Sequence, residues 1–286
     1  MFSIIIPSYN NIKYLKLCLK SINKNSTKNH EIIIHVNEGK DGTLEYVKQN
    51  NIKYTFSRNN VGVCTAINTA AKISTLQHIL YVHDDMYFCP GWDLCLINEV
   101  NSIGHNNFYL SGTMIQPSNG HINFNCGENI ETFDEEKLLL NYNNLNFHDH
   151  QGSHFAPHLV AREIWNRVGG FSEEFNPGIA SDPDFNMKLW MQGIRIFKGL
   201  NNFKVYHFAS ITTRKKDGFK QNRGDKTFLK KWGISTKFFK KYYLKTKTKY
   251  TGPLDEPKIT LNYLFQLILC KIRKTFTILF CLKHYF

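Results

Sequence analysis

The strongest constraint on the fold is an alternation in the first 85 residues. Short β-branched runs alternate there with stretches of helical periodicity. Phe2–Pro7, Glu31–Val36, Ile52–Phe56 and His78–His83 read as strands. Between them, Ile12, Leu15, Leu19 and Ile22 share one helical face behind Asn11, a capping residue. Leu44 and Val47 mark a second, shorter helix after Gly39 and Gly42, and Ala66–Ile73 a third. Strands separated by helices at this spacing make βαβ units, and so a mostly parallel sheet flanked by helices. Further on the pattern loosens. Phe108–Ile115, Phe155–Ala161 and Phe203–Phe208 read as strands, and Asp184–Gln192 as a helix.

Composition narrows the class. With 286 residues, 42% of them hydrophobic, the chain buries a real core, which excludes a disordered protein. Its opening residues form a strand rather than a secretion signal, so a cytoplasmic protein is expected. The seven cysteines are scattered and form no C-x-x-C pair, which argues against a disulfide framework or structural zinc. The net charge of +13 is uneven. Residues 214–286 carry 19 Lys or Arg against 4 Asp or Glu, a net of +15, leaving −2 on residues 1–213. The reading is therefore a near-neutral domain, 1–213, followed by a basic helical extension, 214–286.

In a parallel α/β sheet, ligands bind beyond the carboxyl ends of the strands. Polar residues stand there after each of the first four strands: Ser8-Tyr9-Asn10, Asn37-Glu38, Arg58-Asn59-Asn60 and Asp84-Asp85. Any one of them could simply end a strand, but together they outline a crevice. Two adjacent acids at a strand end repel each other unless a cation offsets them, and a hard divalent ion would also hold a diphosphate. Capping of a following helix is the alternative role for the pair.

These segments carry a family resemblance. Residues 3–10 (Ser-Ile-Ile-Ile-Pro-Ser-Tyr-Asn) resemble the opening of the family 2 glycosyltransferases, which have the GT-A fold. Residues 37–43 resemble that family's Asp-Asp-Gly-Ser-x-Asp-Gly-Thr loop, one residue shorter, and Asn60-Val61-Gly62 with Ala66 and Asn68 its Asn-x-Gly segment. His83-Asp84-Asp85 falls at its Asp-x-Asp, residues 169–175 at its Gly-Gly-Phe-Asp-Glu, Ser181-Asp182-Pro183-Asp184-Phe185 at its Glu-Asp-x-Asp-Leu, and Val205-Tyr206-His207 at its late Val-x-His. The matches run in order to about residue 208.

The resemblance implies an inverting, metal-dependent transfer of a sugar from a nucleotide-diphosphate donor, UDP-linked by preference. The acceptor would be a hydroxyl on a glycan or a lipid-linked sugar, as in polysaccharide synthesis. Pro7, Tyr9, Asn10, Glu38, Asn60, Gly62 and Asp84 would bind the nucleotide-sugar, with Tyr9 against the base, Glu38 at its edge and Asp84 at the ribose or metal. Asp85 and His207 would hold Mn²⁺ or Mg²⁺, and Asp182 would be the general base. Three positions depart from the family pattern: His83 and Asn37 stand where acids are usual, and Ser181 where Glu is usual. His83 is expected as a core or rim histidine, and Asp184 as a helix cap.

On the acceptor side, Trp92, His154, Phe155 and Trp190 are the candidates to stack on sugar, with core packing as the alternative. The basic segment interleaves Lys with aromatics, as in residues 228–232 and 238–243. Such a stripe suits an anionic membrane surface, a phosphorylated lipid acceptor or nucleic acid, or it is a solvated surface helix. Nucleic acid is the least expected partner, because the charge lies outside the crevice. Residues 259–286 suit an interfacial helix better than a span, so a peripheral membrane position is expected. The rival readings are a non-catalytic sugar-nucleotide binder and a nucleic-acid-binding protein using the basic tail.

Overall fold

The structure is a computed structural model that describes residues 1–208 and 224–282, with side chains as far as residue 278. The first half follows the alternation: β1 (Ser3–Tyr9), α1 (Ile12–Asn25), β2 (Glu31–Asn37), α2 (Thr43–Gln49), β3 (Lys53–Ser57), α3 (Val63–Ala71) and β4 (His78–Tyr81). β5 (Met86–Phe88), α4 (Trp92–Ile103), β6 (Phe108–Gln116), β7 (Ile122–Asn123), α5 (Glu135–Asn141), β8 (His150–Gln151) and β9 (His158–Ala161) come next. Then follow α6 (Arg162–Val168), α7 (Ser181–Met191), β10 (Ile196–His207), α8 (Gly224–Trp232) and α9 (Leu261–Leu282).

One sheet runs β3-β2-β1-β4-β9-β6-β10-β5, with β7 paired to β6 and β8 to β10. β3, β2, β1 and β4 are mutually parallel, as expected. The second half is mixed, because β9 enters antiparallel between β4 and β6 and β5 runs antiparallel to β10. Register aligns the carboxyl ends that matter: Tyr9 lies opposite Asn37, and Asn37 opposite Ser57.

α1 buries Leu15, Cys18, Leu19 and Ile22 against the sheet. Its first free N–H, on Ile12, donates to Asp41 Oδ2 at 2.7 Å, so Asp41 and not Asn11 supplies the side-chain cap. α7 starts at Ser181, three residues before the expected start, so Asp184 lies inside the helix rather than capping it. The six cysteines with described side chains are free thiols.

Trp92 is fully buried among Phe88, His30 and Phe203, with ring centroids 4.9, 5.0 and 5.9 Å away. It is core, and the acceptor-side expectation for it is wrong. The reason is local. Asp93 accepts hydrogen bonds from the Thr27 and Lys28 amides and turns Trp92 inward at the start of α4. Trp190 is buried as well, against Phe197 and Tyr243.

The expected boundary at 213/214 lies outside the described residues. Beyond it, Phe228, Leu229, Ile234, Phe238, Phe239, Leu244, Leu254 and Cys270 join the same hydrophobic cluster as β1, β4 and β6. Backbone bonds stitch this segment to the body: Gln151 N–H donates to Thr248 O and Tyr250 N–H to Asp149 O. No described helix is long and apolar enough to cross a membrane.

Candidate active site

The crevice rim is built from strand ends held by amides. Asn37, at the end of β2, donates to Asn60 Oδ1 at 3.1 Å. It accepts from Ser57 Oγ and the Val61 amide, which ties the second and third strand ends together. An amide serves this role better than the family's acid, because it both donates and accepts. Asn10 donates to Glu38 Oε2 at 3.3 Å, joining the first and second ends. Glu38 also pairs with Lys40 Nζ at 3.1 Å, and that bond leads the interactions that lower its pKa. Gly62 has φ +80°, and a Cβ there would meet Asn176 Oδ1 at 2.4 Å. Asn176 in turn accepts from the Cys64 amide. Pro7, Tyr9, Asn10 and Glu38 are half-buried at this rim.

The acid pair divides. Asp84 turns inward, where Ser8 Oγ donates to Oδ2 at 2.7 Å and Asn11 Nδ2 to Oδ1 at 3.1 Å. Burial, and then Asp85, push its pKa up to about 7. Asp84 thus locks β1 to β4, and its carboxylate is spent on that link rather than left as an open edge for a ribose. Asp85 turns the other way. Antiparallel pairing of β5 with β10 sets His207 opposite Met86, and His207 Nε2 lies 3.2 Å from Asp85 Oδ1.

His83 completes a trio. One ligand atom each from His83, Asp85 and His207 lies within 4.8 Å of the others. The rings of His83 and His207 are 5.6 Å apart. Burial holds His83 neutral, lowering its pKa to about 4 against the pull of Asp85. The Gln116 amide, at the end of β6, sits 2.6 Å from His207 Nδ1. With its oxygen turned to accept the Nδ1 proton, it would leave the Nε2 lone pair on the Asp85 side. Two imidazoles and a carboxylate fit a divalent transition ion. Gln116 was missed in the sequence, since only the β6–β10 register brings it to His207.

Asp182 stands in the first turn of α7. Its Oδ1 is buried with no hydrogen-bond partner among the described residues. Burial raises its pKa to about 7, opposed by Lys240. The Tyr81 phenol is raised by burial, then by Asp182, and further by Cys64, Asp85 and Asp84. Its ring is 5.4 Å from that of His83. Lys240 comes from the basic segment, and the sequence gives no sign that it acts on Asp182.

Asp184, two residues and about half a turn from Asp182, is a structural hub. It accepts from Ser172 Oγ at 2.6 Å and from Trp232 Nε1 at 2.7 Å, and pairs with Lys231 at 3.0 Å. The expected acceptor-side residues His154 and Phe155 are half-buried neighbours, 4.7 Å apart. Burial and then Lys240 keep His154 neutral, with its pKa lowered to about 3. Phe155 also lies 5.1 Å from His121.

Solved structures with this architecture are GT-A glycosyltransferases. The structure of Staphylococcus aureus TarS 1–349 in complex with UDP-GlcNAc covers 94% of this chain and 79% of its own, with TM-score 0.54 and 17% identity. GalNAc-T7 with UDP, GalNAc and Mn²⁺ covers 82% of this chain and 52% of its own, with TM-score 0.56 and 13% identity. At sequence level, the model of glycosyl transferase family 2 matches residues 3–158. The chain belongs to glycosyl transferase family 2, and is by that membership an enzyme of the glycosyltransferase class.

Curated relatives include the hyaluronan synthase of Pasteurella multocida, 26% identical over 245 residues, and the chondroitin synthase of Escherichia coli, 26% identical over 230 residues. These alignments cover 83% and 78% of this chain but only 22% and 31% of those proteins. The chain thus spans less than a third of their length.

Proposed function

We propose that this enzyme moves a sugar from a nucleotide-diphosphate donor, UDP-linked by preference, onto an acceptor hydroxyl with inversion, in glycan or polysaccharide assembly. The observation that carries the reading is Asp182: a half-buried carboxylate whose Oδ1 is buried with no hydrogen-bond partner among the described residues, and whose pKa is raised to about 7. A general base works best when its pKa lies near the operating pH. In this reading Oδ1 of Asp182 takes the proton of the acceptor hydroxyl as that oxygen attacks the anomeric carbon. The bond to the diphosphate breaks on the opposite face. Tyr9, Asn10, Glu38, Asn60 and Gly62 hold the nucleotide, and Asp84 keeps their strands in register. His154 and Phe155 flank the acceptor. The UDP and UDP-GlcNAc in the TarS structures, and the UDP in GalNAc-T7, support the donor class.

A divalent ion would be held by Asp85, His207 and His83, and when bound it would offset charge on the departing diphosphate. Two imidazole donors favour Mn²⁺ over Mg²⁺, which prefers all-oxygen sets. The Mn²⁺ in GalNAc-T7 supports a divalent ion in this fold. Residues 224–254 belong in this reading to the catalytic unit, because Lys240 faces Asp182 and Trp232 holds Asp184.

The test is a donor screen with the purified full chain. It measures nucleoside-diphosphate release from a panel of nucleotide-sugars, with Mn²⁺, with Mg²⁺ and with chelator. Mn²⁺-stimulated release from a UDP-sugar is expected. A folded protein that binds such donors and releases nothing with any acceptor tried would instead be a non-catalytic binder.

A further inference from the structure

We infer that α9 docks the enzyme flat on an anionic bilayer surface, a role independent of the chemistry proposed above. The helix has 22 residues, about 33 Å at 1.5 Å per residue. One side faces the body. The Tyr263 ring is 5.0 Å from that of Phe238, and Cys270 is buried with its Sγ 3.8 Å from Ser235 Oγ.

The opposite side is apolar and exposed among the described residues. Leu261 is 88% exposed, Phe265 58%, Ile268 55%, Ile272 45% and Phe276 58%. At 100° per residue these five fall in one stripe, half a turn from Cys270. Soluble surfaces rarely leave so many large apolar side chains in one row.

Charge identifies what covers the row. Exposed Lys271 and Arg273 stand on its two flanks, and no Asp or Glu follows Glu256 in the sequence. A second copy laid face to face would bring these cations against their own kind. A lipid surface bearing negative headgroups meets both features at once: acyl chains take the stripe, and the cations snorkel to the phosphates. The helix is not apolar enough to span, which agrees with a position in the interface plane.

The experiment is sedimentation of the full chain with two kinds of vesicle, pure phosphatidylcholine and phosphatidylcholine mixed with phosphatidylglycerol. Binding is expected only to the anionic vesicles, and is expected to weaken with salt. The variant Phe265→Ser with Ile272→Ser should lower partitioning by about tenfold or more at an unchanged melting temperature. So should Lys271→Glu with Arg273→Glu, which spares the apolar face should the first pair fold poorly. Equal binding to both vesicles, no binding to either, or two folded variants that bind like the wild type would overturn the inference. So would sedimentation velocity showing a dimer that Phe265→Ser with Ile272→Ser converts to monomer, since the stripe would then belong to a second copy.

Discussion

Removing the charge of Asp182 should slow turnover sharply and at the same time stabilise the protein. A carboxyl with a pKa of about 7 is ionised in about one molecule in eleven at pH 6 and about ten in eleven at pH 8. If the ionised form is the base, kcat/KM should rise about tenfold across that interval. The stability effect has the opposite sign. The folded pKa lies above the ordinary carboxylate value, so the native state holds a proton that the unfolded chain has already released. Stability from this group is complete below about pH 4 and is lost as pH rises through 7, by at most about 4 kcal/mol. Asp182→Asn escapes that loss. It should melt at a higher temperature than wild type at pH 8, while kcat falls by about 10²–10⁴ and donor affinity is kept. Lys240→Met provides a second perturbation. Lys240 holds the Asp182 pKa down, so its removal should move the rising limb of the pH profile upward by roughly half a unit to one unit. The assays are pH–rate profiles of UDP release with acceptor, and melting curves over the same range. A profile flat from pH 6 to 8, or a folded Asp182→Asn protein with near wild-type turnover, refutes the base assignment.

Three further outcomes are expected. His83→Asp restores the acid usual in the family, so calorimetry should find Mn²⁺ affinity falling relative to Mg²⁺; an unchanged Mn²⁺ preference would remove His83 from the ligand set. Trp232→Phe deletes the donor to buried Asp184 and should cost about 1–3 kcal/mol in denaturant unfolding, whereas no loss would mean that Lys231 and Ser172 suffice. Gly62→Ala forces a Cβ onto Asn176 at a positive φ, and should weaken UDP binding more than it lowers the melting temperature; intact affinity would detach this turn from the donor site.

Much of the fold was legible because periodicity is local. Ile4, Ile5 and Ile6 are buried in a parallel strand, as a continuous apolar run requires. The rim was legible too, since a parallel strand must end in a loop on the ligand side. Within the acid pair, sequence could not divide the labour. Asp84 and Asp85 are identical in type and adjacent, yet one is tied to Ser8 and Asn11 and the other faces His207. Trp92 carried no mark to separate a stacking platform from a core anchor.

What the sequence determined by itself was the βαβ order and the family, since those rest on motifs that are each only a few residues long. Tertiary structure alone decided the partners brought together over long separations. β5 and β10 carry Asp85 to His207, β6 brings Gln116 behind it, and the basic segment returns to set Lys240 near Asp182 and Trp232 on Asp184. Burial decided the rest. The pKa of Asp182 depends on how much water the folded chain removes from it, and water exclusion is a property of packing that no stretch of sequence contains.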